Sequence, residues 1–497
     1  MTIFHVAEYA PDRAPLGGPH LTLASGVFPR SDGTDGPLRS AAVYADPLPG
    51  PVLGATSVRT EDSLGVIAAG TETGLFTLAG TTWTDRTPPT PYALAPGDRW
   101  RFAQFGSRII AVTPTAPPQT WTVGSGDDFA DLSEDAPKGK FVATFEPGFL
   151  MIGAYDDGVF AAPNGVWWSA LNDATQWPPI GTLAAGSAQS DLQQLANGGY
   201  ITGLAPAVGG AAGVVFTERA IYRVEYIGPP QVFAFREVDR ARGNSSPDGI
   251  AQVGNVVFFV GEDGFQMSDG TTCTPIGFGK VDRTFLSTVA PSGLSRVTAT
   301  VDLARKIVVW SWPTSEGPND RWLMYSWGAD RWRFCDDPAI AGGPLLAART
   351  IPSSLDDLDT LYPDGIDSIP ISLDSQVFAG GRPFLAGFDT ANRLVAYEGG
   401  TLAARIETAE LEPGDQRVFV NGWRPLTDAA AVRCSTGYRE GLADVVNYTA
   451  GTAPILDGYA PQRVTARYVR GRLDVPAGAN WTYIQGADLR SAPAGQR

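Results

Sequence analysis

Histidine is nearly missing from this 497-residue chain, which holds only His5 and His20. A Ser-His-Asp triad, a histidine-based metal centre or an H-E-x-x-H zinc site has almost nothing to draw on. Cysteine is as sparse: Cys273, Cys335 and Cys434 are odd in number, far apart and outside C-x-x-C spacing. That excludes a disulfide scaffold and a structural zinc site, and three isolated buried thiols are expected. No stretch approaches the roughly 20 apolar residues that cross a bilayer. The start Met1-Thr2-Ile3-Phe4-His5-Val6 lacks a basic segment followed by an apolar one, so neither a membrane span nor a signal peptide is expected. The G-x-x-x-x-G-K-[ST] motif, a strand-linked G-x-G-x-x-G and the G-x-S-x-G elbow are all absent, which removes nucleotide enzymology and α/β-hydrolase chemistry. Heptads are absent too, which speaks against a slender trimeric fibre.

Lysine is a further shortage, with Lys138, Lys140, Lys280 and Lys306 the whole set among 37 basic residues. Against these stand 53 acidic residues, for a net charge of −16. Broad, tight binding to DNA by counterion release needs a basic footprint and is excluded. The imbalance is uneven, because residues 401–497 hold 11 Arg and 10 Asp plus Glu, leaving all the acidic excess in the first 400.

What the chain has in quantity is turn chemistry: 58 Gly and 40 Pro beside 43% hydrophobic and 18% charged residues. That mixture describes a loop-rich globular protein of short strands. A unit of apolar strand, tight polar turn and second strand recurs, clearest at Asn255-Val-Val-Phe-Phe-Val260, Gly261-Glu-Asp-Gly264 and Phe265-Gln-Met267. Such units are β-hairpin signals. Seven of them can be marked by one apolar position each, at residues 67, 110, 150, 215, 258, 308 and 378. Their spacing is close to the roughly 40 to 50 residues of a propeller blade, except at two long steps. The chain therefore reads as all-β, a β-propeller of six to eight blades with seven the best count, because radial stacking buries both faces of each blade. Helical turns are expected only at Ser190–Leu195 and Val281–Leu286.

From about Leu402 the texture changes to longer alternating strands, among them Ala404–Leu411 and Arg463–Leu473. These suggest a C-terminal β-sandwich of about 100 residues. The expected division is an N-terminal arm at 1–18, a propeller at 19–400 with insertions near 155–212 and 335–375, and a β-domain at 401–497.

Four features invite chemistry. Ser268-Asp269-Gly270-Thr271-Thr272-Cys273 has the polar residues of a sialidase Asp-box without its spacing, and a plain turn is favoured. Asp356, Asp357, Asp359, Asp364 and Asp367 cluster in one loop; carboxylates suit Ca²⁺, yet the spacing is neither EF-hand nor RTX, and a solvated loop is favoured. Trp167, Trp168 and Trp177 could stack on sugars, with core or interface packing favoured. Arg463, Arg467, Arg470 and Arg472 could face an anionic partner, with cross-strand ion pairs favoured. No catalytic, cofactor-binding or metal-binding residue is assigned. A glycosidase or lyase propeller stays open, because its two carboxylates leave no local motif.

An ordered series of short motifs resembles one family. It runs through Ala69-Gly70-Thr71 with Gly74-Leu75-Phe76 and Trp83, then Trp100-Arg-Phe-Ala-Gln-Phe-Gly106, then Trp168-Ser169-Ala170 with Asn172 and Trp177, and Phe216, Glu218 and Ile221. It continues with Arg242-Gly243, Gly261-Glu-Asp-Gly-Phe265, Asp269-Gly270, Pro275-Ile-Gly277, Val281-Asp-Arg-Thr-Phe285 and the strand Arg467–Arg470. Over roughly residues 19–335 this resembles the tail-nozzle, tail-hub or packaged-DNA-stabilisation proteins of short-tailed bacteriophages. The resemblance implies a non-enzymatic virion protein without cofactor, six copies ringed below the head-to-tail adaptor and meeting tail fibre or tip proteins. Genomic DNA would be retained and then conducted through the ring without specific binding. The subunit would be assembled in the host cytoplasm and end in the virion tail. An acidic surface is compatible with a channel that must not hold its cargo. A carbohydrate-active propeller and a receptor-binding tail component are the alternatives.

Overall fold

A computed structural model describes residues 2–60, 65–349, 365, 369, 373, 383–411 and 416–495. The apolar runs Arg108–Val112, Phe149–Asp156, Gly213–Thr217, Val256–Gly261 and Ile307–Trp312 are buried almost throughout. Continuous rather than alternating burial is what a strand shows when both faces of its sheet are covered. The first four runs are each the second strand of a four-stranded antiparallel sheet, and Ile307–Trp312 is the second strand of a ten-stranded one. Among the described residues seven four-stranded antiparallel units follow one another, over 54–85, 101–131, 138–194, 201–239, 251–275, 298–335 and 342–396; six are separate sheets and the 298–335 unit is one end of the ten-stranded sheet. The last sheet takes its outer strand from the other end of the chain: Ala42–Pro47 pairs with Arg393–Ala396, in the register Val43↔Val395 and Ala42↔Ala396. The innermost strands lie side by side around an axis, and Gly342–Ala348 of the seventh blade lies against Gly54–Arg59 of the first. The chain is a closed seven-bladed β-propeller.

The second layer of structure departs from the expected division. Residues 1–18 are not a free arm and 19–40 are not propeller. Thr2–His5 pairs with Ile484–Pro493 near the end of the chain, and Asp35–Pro37 also joins that sheet. His20–Ser25 pairs with Ala404–Thr408. Both ends of the chain thus build one β-sandwich, and the propeller is inserted between them. The chain leaves and returns at one point, where Ser40 N donates to Gly400 O (2.8 Å) and Gly399 N donates to Ser40 O (3.0 Å). The sandwich and the sixth blade are continuous through a parallel contact of Ser25 with Phe334.

Three further expectations change. The region 155–212 is not an insertion, because it supplies Ala161–Trp168 and Asp191–Gln194 to the third blade and Ile201–Pro206 to the fourth. Ser190–Leu195 is not helical: Asp191–Gln194 pairs with Ala161–Trp168, and the short helix falls just before, at Leu183–Ala188, capped by Thr182. Edge pairing outweighs a weak local preference. Arg463–Leu473 is two strands, Ala460–Ala466 and Tyr468–Val475, in opposite sheets of the sandwich. In the 335–375 region, Gly342–Ala348 is the inner strand of the seventh blade, and most of the rest lies outside the described residues.

Candidate functional site

The motifs of the ordered series are packing devices. Asp282 opens the helix Asp282–Thr288 and is buried beneath the fifth blade. Its Oδ1 accepts from Phe265 N at 3.0 Å. A Cβ at Gly277 would fall 1.9 Å from that oxygen, and one at Gly264, whose φ is +123°, would fall 2.1 Å from Asp282 Cγ. Phe285 on the same helix packs against Phe265 with ring centroids 4.7 Å apart. Gly261-Glu-Asp-Gly-Phe265, Pro275-Ile-Gly277 and Val281-Asp-Arg-Thr-Phe285 are therefore one interlocked piece. Likewise Trp100 Nε1 donates to Thr71 O at 2.8 Å, and a Cβ at Gly70 would strike the Trp100 ring.

Burial pushes the Asp282 carboxyl up to about 6, with the nearby Asp12 and Asp263 adding to the rise against the Phe265 hydrogen bond. A folded-state value above the ordinary 3.8 means that this group contributes stability fully below about pH 3.8, and the contribution is lost as pH rises through about 6. Asp282→Asn keeps the acceptor and removes the charge. The variant is expected to melt higher than the parent at pH 7.5, with the gap closing between pH 6 and 4. Paired thermal melts at the two ends of that window check this, and a constant gap would contradict it.

The sequence candidates for chemistry resolve mostly into structure. Trp167, Trp168 and Trp177 are buried, and the indoles of Trp168 and Trp177 donate to Gln189 O and Ala174 O at 2.9 and 2.8 Å. They offer no sugar platform. Asp269 Oδ1 accepts from the backbone N–H groups of Thr271 and Thr272 at 2.8 and 2.7 Å, which makes the Asp-box-like stretch a turn and, with the threonine hydroxyls, holds the carboxyl down to about 2. Arg470 and Arg472 pair with buried carboxylates, Arg470 with Glu410 at 2.9 Å and Arg472 with Glu407 at 2.5 Å, while Arg463 and Arg467 are exposed. Cys335 and Cys434 are buried free thiols, but Cys273 is only half-buried. Asp356, Asp357, Asp359, Asp364 and Asp367 lie outside the described residues. Among the described residues no group of three or more His, Cys, Asp or Glu is placed to hold a metal ion.

Sequence reasoning missed the propeller axis. The seven inner strands run in the same direction, so residues just before each strand converge on one mouth. Arg99 precedes Arg101–Phe105, Asp248 precedes Ala251–Val253, and Arg296 precedes Thr298–Asp302. Arg99 and Asp248 line a cavity of about 350 Å³ to which all seven blades contribute, and a second of about 320 Å³, lined by Arg296, shares Leu53, Arg99, Thr298 and Pro344 with it. Arg101 of the second blade reaches Asp248 of the fifth, with Nε and Nη2 each 2.9 Å from Oδ1. Arg101 also lies 4.4 Å over the Phe141 ring and donates to Lys140 O at 3.1 Å. Arg99 Nε stands 3.4 Å from Asp248 Oδ2. The Arg101–Asp248 pair bridges the cavity from the second blade to the fifth. Asp248 is the one carboxylate in the inner cavity's described lining, so the facing pair that glycoside hydrolysis requires is not found there. The only signal available to sequence reasoning was the placement of charge two or three residues before an inner strand, and that becomes visible only once the blades are aligned.

A closed seven-bladed propeller inserted in a β-sandwich, with a charged cluster on its axis, places the chain among β-propeller proteins. No protein-family model matches it, and no curated protein matches it. Among solved structures it is similar to YCF48 bound to D1 peptide, at 14% identity over 61% of this chain and 91% of that one, with a TM-score of 0.36. It is similar also to the Neurospora crassa Pan2 WD40 domain, at 8% identity over 60% and 86% with a TM-score of 0.36. A chain of the Mitotic Checkpoint Complex is similar at 10% identity over 73% and 94%, with a TM-score of 0.40. No helix among the described residues is long and apolar enough to cross a membrane.

Proposed function

We propose that this chain is a subunit of a sixfold tail nozzle or hub of a short-tailed bacteriophage, docked below the head-to-tail adaptor and extending the DNA channel. The observation that carries the reading is the ordered motif series, of which Gly70-Thr71 meets Trp100, and Gly261–Phe265, Pro275–Gly277 and Val281–Phe285 meet around Asp282. Two features of the surface support it. Apolar side chains stand in solvent at loop tips: Val159 and Phe160 on the hairpin of the third blade, and Leu442, Val445, Ile455 and Leu456 on the sandwich. Such side chains suit docking to other chains. The net charge of −16 suits a conduit that releases its cargo.

Arg101 and Asp248 bridge the propeller axis, and on this reading the lumen of the assembly is the space enclosed by the copies, with each propeller a wall element. Tail fibre or tip proteins would meet the distal surface. Cryo-electron microscopy of virions is expected to show six copies around an axial channel of duplex width. A soluble monomer that is absent from particles would overturn the reading and redirect attention to glycan cleavage or receptor binding.

A further inference from the structure

The axial cavity holds more positive than negative charge, in a chain whose balance is the reverse. Arg99 and Arg101 line it against one carboxylate, Asp248, and the adjoining cavity adds Arg296 beside Arg99. The other carboxylate at the mouth, Asp389, is already matched by Arg393 at 2.7 Å. Arg101 is engaged by Asp248, Lys140 O and the Phe141 ring. Arg99 is held more loosely, by an ion pair to Asp248 Oδ2 at 3.4 Å with its side chain only 21% exposed, and Arg296 spends one donor on Gly317 O. Burial, and the neighbouring Arg101 and Arg296, depress the proton affinity of Arg99 against the pull of Asp248. Buried charge without a matching partner is costly. A second, independent observation lies beside it. Thr298, 5% exposed and lining both cavities, has a hydroxyl with no hydrogen-bond partner.

We propose that the axial mouth of the propeller binds a small dianionic oxyanion of the phosphate class, held by Arg99 and Arg296 and by the Thr298 hydroxyl. Three guanidiniums sharing one carboxylate, Asp248, leave an excess of two positive charges, which matches a dianion, and guanidinium forks with a hydroxyl donor match tetrahedral oxygens. The two cavities, of about 350 and 320 Å³, leave room for a small ion. The site belongs to the single chain and does not depend on the ring proposed above.

The test is a titration of the full chain with inorganic phosphate at constant ionic strength, followed by calorimetry and melting temperature, with potassium chloride as the matched control. Saturable 1:1 binding is expected, with a rise in melting temperature that chloride does not reproduce. Arg99→Gln and Arg296→Gln are each expected to weaken binding about tenfold or more, the effect of one lost charge-assisted hydrogen bond. Arg463→Gln, on the exposed face of the sandwich, is expected to bind as the parent does. No saturable response beyond chloride, or parental affinity in the glutamine variants, would overturn the site. If Arg99→Gln fails to fold, Arg296→Gln and the parent titration decide between the same two outcomes.

Discussion

Asp35→Ala is expected to cost about 3–5 kcal/mol of stability, the penalty for leaving one member of a buried ion pair alone. Asp35 and Arg333 are both fully inaccessible, and Arg333 Nε donates to the two carboxylate oxygens at 2.9 and 2.8 Å. Nη1 donates to Trp332 O at 2.5 Å, and Nη2 has no partner. Asp35 sits on a sandwich strand and Arg333 on the outer strand of the sixth blade, 298 residues apart in sequence. The pair therefore stands at the junction of the two halves of the fold. Asp35→Ala strands a guanidinium whose side chain is fully inaccessible. Asp35→Leu combined with Arg333→Met removes both charges at similar volume, and is expected to recover most of the loss or exceed the parent. Guanidinium unfolding of the single and double variants separates the cases. A loss below about 1 kcal/mol for Asp35→Ala, the range of an exposed pair, would mean that water reaches the junction.

Trp332→Ala is expected to cost a similar amount, about 3–5 kcal/mol, for a different reason. The Trp332 ring lies 5.0 Å from Phe265, 5.7 Å from Trp310 and 4.8 Å from Tyr325, and its Nε1 donates to Ile276 O at 3.1 Å. Phe265 and Ile276 belong to the fifth blade's sheet and the turn after it, and Trp310, Tyr325 and Trp332 to the sixth. The indole fills the seam between two blades, so its removal opens a cavity that rigid strands on both sides cannot close. Trp332→Phe keeps most of the volume and is expected to lose less than half as much. Denaturation curves with near-ultraviolet circular dichroism as the readout check the order. Equal losses for the two variants would assign the effect to the hydrogen bond to Ile276 instead of to packing.

Much of the propeller was legible because it is written in local terms. Of the seven apolar positions used to mark the units, the first six fall on the second strand of successive blades. Those strands are the most evenly buried, so they carry the strongest apolar signal. The seventh, Phe378, lies outside the described residues, and the corresponding strand begins at Phe384. The third blade was misread as an insertion because Ser169–Ser190 separates its last two strands and carries a helix, which broke the expected spacing. The axial cluster was not legible at all: Arg99, Arg101, Asp248 and Arg296 have no common spacing, and only the ring of inner strands brings them together.

By itself, then, the sequence determined the class of the fold, since alternation, apolar runs and Gly/Pro turns act over a few residues, and hairpins form between neighbours. It also determined that only two His and three Cys are available to any site. The tertiary structure alone decided that Ala42–Pro47 closes the seventh blade, that both chain ends share one sandwich, and that Asp35 meets Arg333. Pairings across some 300 residues or more leave no local pattern. They are selected by which edges remain unpaired and which apolar faces remain uncovered once the hairpins have formed, a condition that exists only in three dimensions.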